Sequence, residues 1–447
     1  HCSLYQPRKI IFAWEFTQNF GGFVIRLSSF GIFFFYIVNA YAEDDAKPSN
    51  SSAACSELKT ARDIVSCALE KHPAVVRAGI ESRRSSFGES RASAFENPDV
   101  ETSTSYGKAL GDQLWTFEAA LNQKIEIGGK RSSRIAAARA ESEKAGANLQ
   151  RAREAAFLEV IHTLNRHRQI HDELEIVNEA INAFGRVQNL YKKRGRLSAE
   201  QEVSAEIFSL ALGEHRLRRN NLQNEKDELK RRLELIVQAP LSEEENYLPA
   251  FRTQWPLLNE AAVDSLKNSE LLLAKAELKF AEAELNSARG GSWPDLTVGP
   301  TFSWDREGPS DVYRYGLNVN LPLPLWNWNR AARAEAEQVK FLAQRNFEFS
   351  EKEVSSERKQ LLQKYQSVVE AIKALPDLKA LENKHSRVEK LFEQGLVSTS
   401  LFIEAHRQIQ EFVQTRNEEE HEATDALWKL YAIDGQMFEE NLWNSAF

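Results

Sequence analysis

Gly195-Arg196-Leu197-Ser198, with Ala205 beyond it, and Gly395-Leu396-Val397-Ser398, with Ala405 beyond it, are one turn written twice at a constant offset of 200 residues. Upstream, Asn97-Pro98-Asp99 answers to Trp293-Pro294-Asp295 at an offset of about 196, so a unit has been duplicated with one insertion near its first elements. An internal repeat has to be recognised before the fold is assigned. Each copy reads as two alternating strands, a long helix, a glycine turn and a returning helix. The first repeat covers 57–240, with strands at about 98–107 and 112–123 and helices at 129–194 and 198–237. The second covers 258–436, with strands at about 294–304 and 312–323 and helices at 329–394 and 398–434. Shorter helices at 73–95 and 270–289 precede each strand pair. A linker at 43–56, an equatorial segment at 241–257 and a tail at 437–447 complete the chain.

The long helices follow from what is missing. No proline lies between Pro98 and Pro240, and an interior proline would cost about 3 kcal/mol or more. Residues 129–194, at about 1.5 Å per residue, run roughly 100 Å, wider than a globular core. Apolar positions recur at three and four, as in Ala155, Leu158, Ile161 and Leu164, the stripe of a helix packed on neighbours in coiled-coil fashion. Pro376, within Ala374-Leu375-Pro376-Asp377, is expected to kink or break the helix 329–394 near its middle.

Composition narrows the class. The chain of 447 residues carries 27% charged and 10% aromatic residues, ordinary for a folded protein, and its formal net charge is −8. That balance disfavours nucleic acid as a partner, because phosphate contacts need a basic face; the basic runs Arg216–Arg219 and Lys230–Arg232 read as solvated helix faces. Arg26, the apolar stretch Leu27–Val38 and Ala40-Tyr41-Ala42 before Glu43 have the form of a secretory signal cleaved after Ala42, so residues 1–42 are expected to be signal peptide and leader. No later stretch approaches the roughly 18 uncharged apolar residues of a spanning helix. Export permits a disulfide between Cys55 and Cys67, although their spacing alone does not establish one. Cys55 lacks the context of a lipidation site.

The strands are where a membrane enters. Leu296, Val298, Pro300, Phe302 and Trp304 alternate with Asp295, Thr297, Gly299, Thr301 and Ser303; Tyr313, Tyr315, Leu317 and Val319 alternate with Arg314, Gly316, Asn318 and Asn320. In the first repeat Val100, Thr102, Thr104 and Tyr106, then Trp115, Phe117, Ala119 and Leu121, form the corresponding sets. A period of two at this length, with aromatics near the ends, fits a transmembrane β-strand whose apolar set faces lipid. A half-buried sheet of a soluble domain gives the same alternation. The signal sequence and the short polar connections Lys108–Asp112 and Arg306–Asp311 favour the membrane. Four strands cannot close around a bore, and open edges in lipid leave backbone groups unsatisfied, so several copies must contribute. Three would supply twelve strands, wide enough for a water-filled channel.

The order helix, hairpin, long helix, glycine turn and returning helix, all duplicated, resembles the TolC family of outer-membrane efflux proteins over about residues 57–436. Asn97-Pro98, Ile125-Glu-Ile-Gly-Gly-Lys130 with Arg134, Leu321-Pro-Leu-Pro-Leu-Trp-Asn327 with Arg330, the two glycine tips and Leu233–Val237 carry the resemblance. The leucine-proline segment most resembles the heavy-metal (cobalt-zinc-cadmium and copper) efflux branch. The resemblance implies a mainly α fold with a transmembrane β-barrel contribution: a homotrimer with a twelve-stranded barrel in the outer membrane of a Gram-negative bacterium and a twelve-helix periplasmic α-barrel. It implies a passive duct fed by an inner-membrane pump of the resistance-nodulation-division type and a periplasmic adaptor. Gly195, Leu197, Ser198, Gly395, Val397 and Ser398 are then candidates for adaptor docking. The glycines have a structural role available as helix terminators, which leaves the neighbouring Leu, Val and Ser as the better contacts. Family members often close the periplasmic end with acidic residues three apart. Those positions here are Leu401 and Glu404, and only Glu404 keeps the charge; on the axis of a trimer, three copies would raise one another's pKa.

Enzymatic motifs are absent from the sequence: it holds no GxSxG, P-loop, GxGxxG, HExxH or cysteine cluster. His162, His167 and His171 read as surface histidines rather than metal ligands, and with Met437 as its one methionine the chain has no soft-metal relay. No cofactor is expected. Two other functions use the same elements: an exit duct for secreted polypeptides, as in type I secretion, and a secreted coiled-coil scaffold or adhesin whose strands form a soluble cap.

Overall fold

The computed structural model describes residue 55 and residues 58–109, 112–193, 195–260, 267–376, 378–439 and 442. The predicted signal peptide, and the 43–56 linker apart from Cys55, lie outside them. Among the described residues eight helices and four strands follow in the order α1 (Ala61–Lys71), α2 (Pro73–Ser93), β1 (Asp99–Ala109), β2 (Asp112–Ile125), α3 (Lys130–Lys193), α4 (Ala199–Val237), α5 (Ser269–Gly290), β3 (Leu296–Glu307), β4 (Ser310–Asn320), α6 (Arg330–Ala374), α7 (Leu378–Glu393) and α8 (Thr399–Ile433).

Local chemistry sets most of these boundaries. The Thr60 hydroxyl accepts from the Asp63 amide while the Asp63 carboxylate accepts from the Thr60 amide, a reciprocal cap that starts α1. Pro73, whose missing N–H costs nothing in a first turn, opens α2. Asn268 Oδ1 accepts from the Leu271 amide at 2.9 Å to start α5. The proline-free stretch gives α3 its 64 unbroken residues. In the second repeat, Leu375 ahead of Pro376 is forced into an extended conformation (φ −73°, ψ 145°). The break expected at Pro376 is present and divides 329–394 into α6 and α7, about 70% of the way along rather than near the middle.

The strands form one antiparallel sheet in the order β1-β2-β3-β4, with β1 and β4 as open edges. Both hairpins pair farther toward their turns than their sequence bounds. Pairing extends to Ala109↔Asp112 and Glu307↔Ser310, leaving two-residue tips in place of the broader connections expected. Gly308 turns the second with a left-handed backbone (φ 56°). β4 stops at Asn320 instead of 323, because Pro322 and Pro324 cannot donate to a ladder. Between β2 and β3 the pairing lapses opposite Gly299 and Pro300: Pro300 has no N–H, and a Cβ on Gly299 would stand 1.8 Å from the Leu121 carbonyl oxygen.

Near the sheet the helices repeat the strand order: α2 packs on α3, α3 on α5 and α5 on α6. Farther away α4 packs on α3, α3 on α8, and α8 on α6 and α7. The largest apolar core lies between these zones, where Ile64 and Cys67 of α1, Phe157 and Leu164 of α3, Leu233 of α4, Tyr365 of α6 and Leu427 and Trp428 of α8 meet. A disulfide joins Cys55 to Cys67 across 5.0 Å between Cα atoms and pins the segment before α1 to this core.

The segment at 241–257 has no regular structure yet is firmly held. Tyr247 is buried with its hydroxyl 3.4 Å from His167 Nδ1. Phe251 lies between the guanidinium groups of Arg168 and Arg416, and the Tyr365 hydroxyl donates to the Pro256 carbonyl at 2.7 Å. This corrects the reading of the histidines. His167 is 0% exposed, and burial lowers its pKa; His162 is mostly buried, and burial pushes its pKa down to about 4. Only His171 is a surface residue. The helical stripe places His162 and His167 toward α8 and the linker, which the isolated spacing could not show. Among the described residues no three His, Cys, Asp or Glu side chains are arranged to hold a metal ion.

Candidate functional site

Two surfaces carry the candidate residues, one at each end of α3. On the sheet, cross-strand partners share a face, so the register tests whether four separate alternations become one surface. Val100 opposes Leu121 and Tyr106 opposes Trp115; Ala119 opposes Phe302, which opposes Tyr315; Phe117 opposes Trp304, which opposes Tyr313. Val298 pairs with Val319 and Pro300 with Leu317, while Leu296 pairs back to Ile125. Every strand thus presents its apolar set to the same side. Ring contacts run across it, Tyr106 to Trp115 at 4.8 Å and Phe302 to Tyr315 at 5.5 Å between centroids.

The opposite face is polar and bonded to itself. Asn318 Nδ2 donates to Asn122 Oδ1 at 3.3 Å, Asn122 Nδ2 to Glu101 at 3.4 Å, and Arg314 to Ser303 and Asp305. Val100, Tyr313, Tyr315, Leu317 and Val319 are exposed in the protomer, and Leu296, Val298, Phe302 and Trp304 half-exposed. A sheet whose apolar side is bare and whose polar side is internally satisfied is suited to lipid on one side and water on the other.

At the far end, α3 and α4 form one tip and α7 and α8 the other. Ser198 and Ser398 are the N-caps of α4 and α8, accepting from the amides of Gln201 and Leu401. The two glycines differ. Gly395 is left-handed (φ 73°) and closes α7 through bonds from its own amide to Phe392 O and from Leu396 N to Leu391 O, both 2.9 Å. Gly195 has no left-handed backbone. Beneath the loops Phe184, Phe208, Phe392 and Phe402 stack, with Phe392 and Phe402 4.2 Å apart, and tie α3, α4, α7 and α8 together. Val397 packs on this cluster and is half-buried, as is Leu197.

Apolar groups that the sequence reading did not name for docking stand exposed at the tips: Leu396 is 71% exposed, Leu190 62% and Leu401 57%. Glu404 is half-exposed and held by Arg407 (2.6 Å) and Gln408 (3.0 Å). The Arg407 bonds hold its pKa below the ordinary carboxylate value, opposite in direction to the mutual repulsion expected on an axis.

The glycine difference has a direct consequence. Gly395→Ala is expected to destabilise the α7–α8 tip by about 1–2 kcal/mol, the cost of a left-handed L-residue, whereas Gly195→Ala should be nearly neutral. A Cβ at either site meets no atom within 4 Å, so crowding does not confuse the comparison. Limited proteolysis at the tips checks it: equal cleavage rates for the two variants would contradict the assignment.

The structure is similar to solved outer-membrane channels. It aligns with CusC at a TM-score of 0.65 and 17% identity, covering 84% of this chain and 92% of that one. It aligns with the open MtrE channel of Neisseria gonorrhoeae at 0.69 and 14%, covering 85% and 89%. It aligns with VceC of Vibrio cholerae at 0.64 and 14%, covering 84% and 96%. At these identities the likeness is one of fold. No curated protein matches the chain in sequence. The profile of the outer membrane efflux protein family matches residues 64–196 and 263–436, more than half of the chain and both copies of its repeat, and the chain belongs to that family.

Proposed function

We propose that three copies of this chain close a twelve-stranded barrel, continue it as a twelve-helix periplasmic tube, and serve as the passive exit duct of a tripartite efflux system. One observation carries this reading: the exposed large apolar side chains of the helices gather on the elements at the two lateral edges. Ile80 and Phe87 of α2 and Leu210 and Leu217 of α4 lie on the β1 side; Phe341, Leu342 and Phe349 of α6 lie on the β4 side. The internal helices α3, α5 and α8 expose only Leu190, Phe280 and Leu401 among their large apolar residues, two of these at the tips. The two edges are different surfaces, so copies join head to tail, and a ring results when the rotation closes. β1 and β4 point in opposite directions, so a neighbour's β1 beside β4 continues the antiparallel ladder and removes the open edges. The number three rests on the family resemblance and on the bore that twelve strands provide.

In this assembly the tips meet a periplasmic adaptor, which couples the duct to an inner-membrane pump of the resistance-nodulation-division type. Heavy-metal cations are the finer reading of the cargo, supported by the likeness of Leu321–Asn327 and Arg330 to that branch. The test compares cells carrying pump and adaptor with and without this chain against zinc, cobalt, cadmium and copper salts, a panel of dyes and antibiotics, and secretion of a tagged polypeptide. Loss of metal resistance alone on deletion is the expected result. Loss confined to drugs or to polypeptide export would change the cargo, and no phenotype with protein that washes from membranes in urea would leave a secreted scaffold.

A further inference from the structure

The segment Leu321-Pro-Leu-Pro-Leu-Trp-Asn327 has no task in the duct as described, and its surface is unusual. It follows β4 without regular structure and turns tightly at Pro324, where the Leu325 amide donates to the Leu323 carbonyl at 2.9 Å. Leu323 and Leu325 are exposed, and Trp326 is 92% exposed. The exposure does not come from a loose chain. Ser292 Oγ donates to the Trp328 carbonyl at 3.0 Å, Asn329 Nδ2 donates to the Ala288 carbonyl at 2.8 Å, and Asn329 takes a left-handed backbone (φ 55°) to start α6. The segment is fastened at its end to α5 and presents its middle outward.

Its position is defined by the strand before it. β4 descends from the turn at Gly308 to Asn320, so the segment lies at the foot of the sheet, directly below the apolar band of Tyr315, Leu317 and Val319. Immediately beyond it α6 opens with Arg330 and Arg333, three apart and hence on one side of the helix. The cations on the other strand-to-helix connection are engaged within the protomer: Lys130 with Asp295 at 2.6 Å, Lys124 with Glu96 at 3.0 Å, Arg134 with Glu126 at 2.9 Å, and Arg131 with the Ser93 carbonyl at 3.1 Å. The exposed side chains of Arg330 and Arg333 have no such partner among the described residues.

We propose that residues 321–333 form a lipid collar, in which Leu323, Leu325 and Trp326 enter the boundary between acyl chains and headgroups of the periplasmic leaflet and Arg330 and Arg333 take the phosphates of anionic glycerophospholipids. Tryptophan sits at this boundary because its ring is apolar with one polar edge. An arginine keeps its stem along apolar surface while its head reaches the phosphates, and each basic residue near an anionic leaflet contributes roughly a fivefold preference. The collar rests on the outer-membrane barrel reading, and it fixes where the membrane ends. It also explains why the apolar run continues past the last strand residue.

The test uses the assembled protein in nanodiscs of phosphatidylglycerol and phosphatidylcholine, with Cys2 replaced by serine and one spin label introduced at a time; Cys55 and Cys67 are joined and do not compete for it. A label at Trp326→Cys should collide with oxygen in preference to a water-soluble nickel chelate, as a label at Leu317→Cys does, while one at Glu348→Cys on α6 shows the reverse. A chelate-accessible label at 326 with an oxygen-accessible one at 317 would overturn the collar and leave the barrel standing. Shielding of 326 from both reagents would make the segment a contact with the next copy, overturning the collar equally. A water-accessible label at 317 would sink the barrel reading itself and the collar with it. In a second arm, Arg330→Gln with Arg333→Gln should bring the ratio of spin-labelled phosphatidylglycerol to phosphatidylcholine at the protein boundary down by fivefold or more, and an unchanged ratio would remove the arginines from the proposal.

Discussion

Leu317→Arg should abolish assembly while Asn318→Arg leaves most of it intact. The residues are adjacent in β4, and the register places them on opposite faces: Leu317 opposes Pro300 on the apolar side, and Asn318 opposes Gly299 on the polar side, where it bonds to Asn122. A cation on the lipid face of a barrel costs on the order of 2–4 kcal/mol near mid-membrane, and a trimer carries it three times, so the assembled state loses roughly 6–12 kcal/mol. Asn318→Arg forfeits a hydrogen bond of about 1 kcal/mol and places its charge in water. The measurement is the ratio of trimer to monomer on mild-detergent gels of outer-membrane fractions. Equal ratios for the two variants would mean that the two faces of the sheet are not lipid and lumen.

Leu396→Asp should abolish export without touching assembly. Leu396 stands exposed immediately after the left-handed Gly395 and packs on none of the aromatic cluster. Its replacement costs the folded protomer little but places an unpaired charge in the proposed adaptor contact, where desolvated charge is strongly disfavoured. Val397→Asp is the contrasting variant: Val397 packs on the cluster that includes Phe402, so a charge there should loosen the tip itself. Trimer content is expected to be normal in both, because the tips lie roughly 100 Å of helix away from the sheet. Resistance conferred with the cognate pump should vanish for Leu396→Asp. Full resistance in that variant would show that the adaptor does not dock on this tip.

The duplication, the long helices and the alternating strands were legible because each depends on local pattern alone. Absence of proline sets the length of α3, Pro376 divides α6 from α7, and Ser198 and Ser398 cap helices through bonds that reach only three residues. What escaped depends on the third dimension. Helix α1 was overlooked although Thr60 and Asp63 spell its cap. His167 looked like a surface residue because the side of α3 that the linker covers is set by Tyr247, 80 residues away. Gly195 and Gly395 looked equivalent, yet only the second has the backbone that requires glycine. The packing of Val397 was not legible either, because nothing in the sequence places an aromatic cluster beneath it. The Cys55–Cys67 pair likewise depended on how the chain before α1 returns to the core.

The central claim, that open sheet edges are closed by further copies of the same chain, is tested most directly by the mass of the mature protein extracted in a mild detergent, with bound detergent accounted for. Three chains per particle, stable on dilution, is the result expected from two unlike apolar edges and the lipid-facing band between them. A particle holding one or two chains, with its sheet edges still unpaired, would contradict the account.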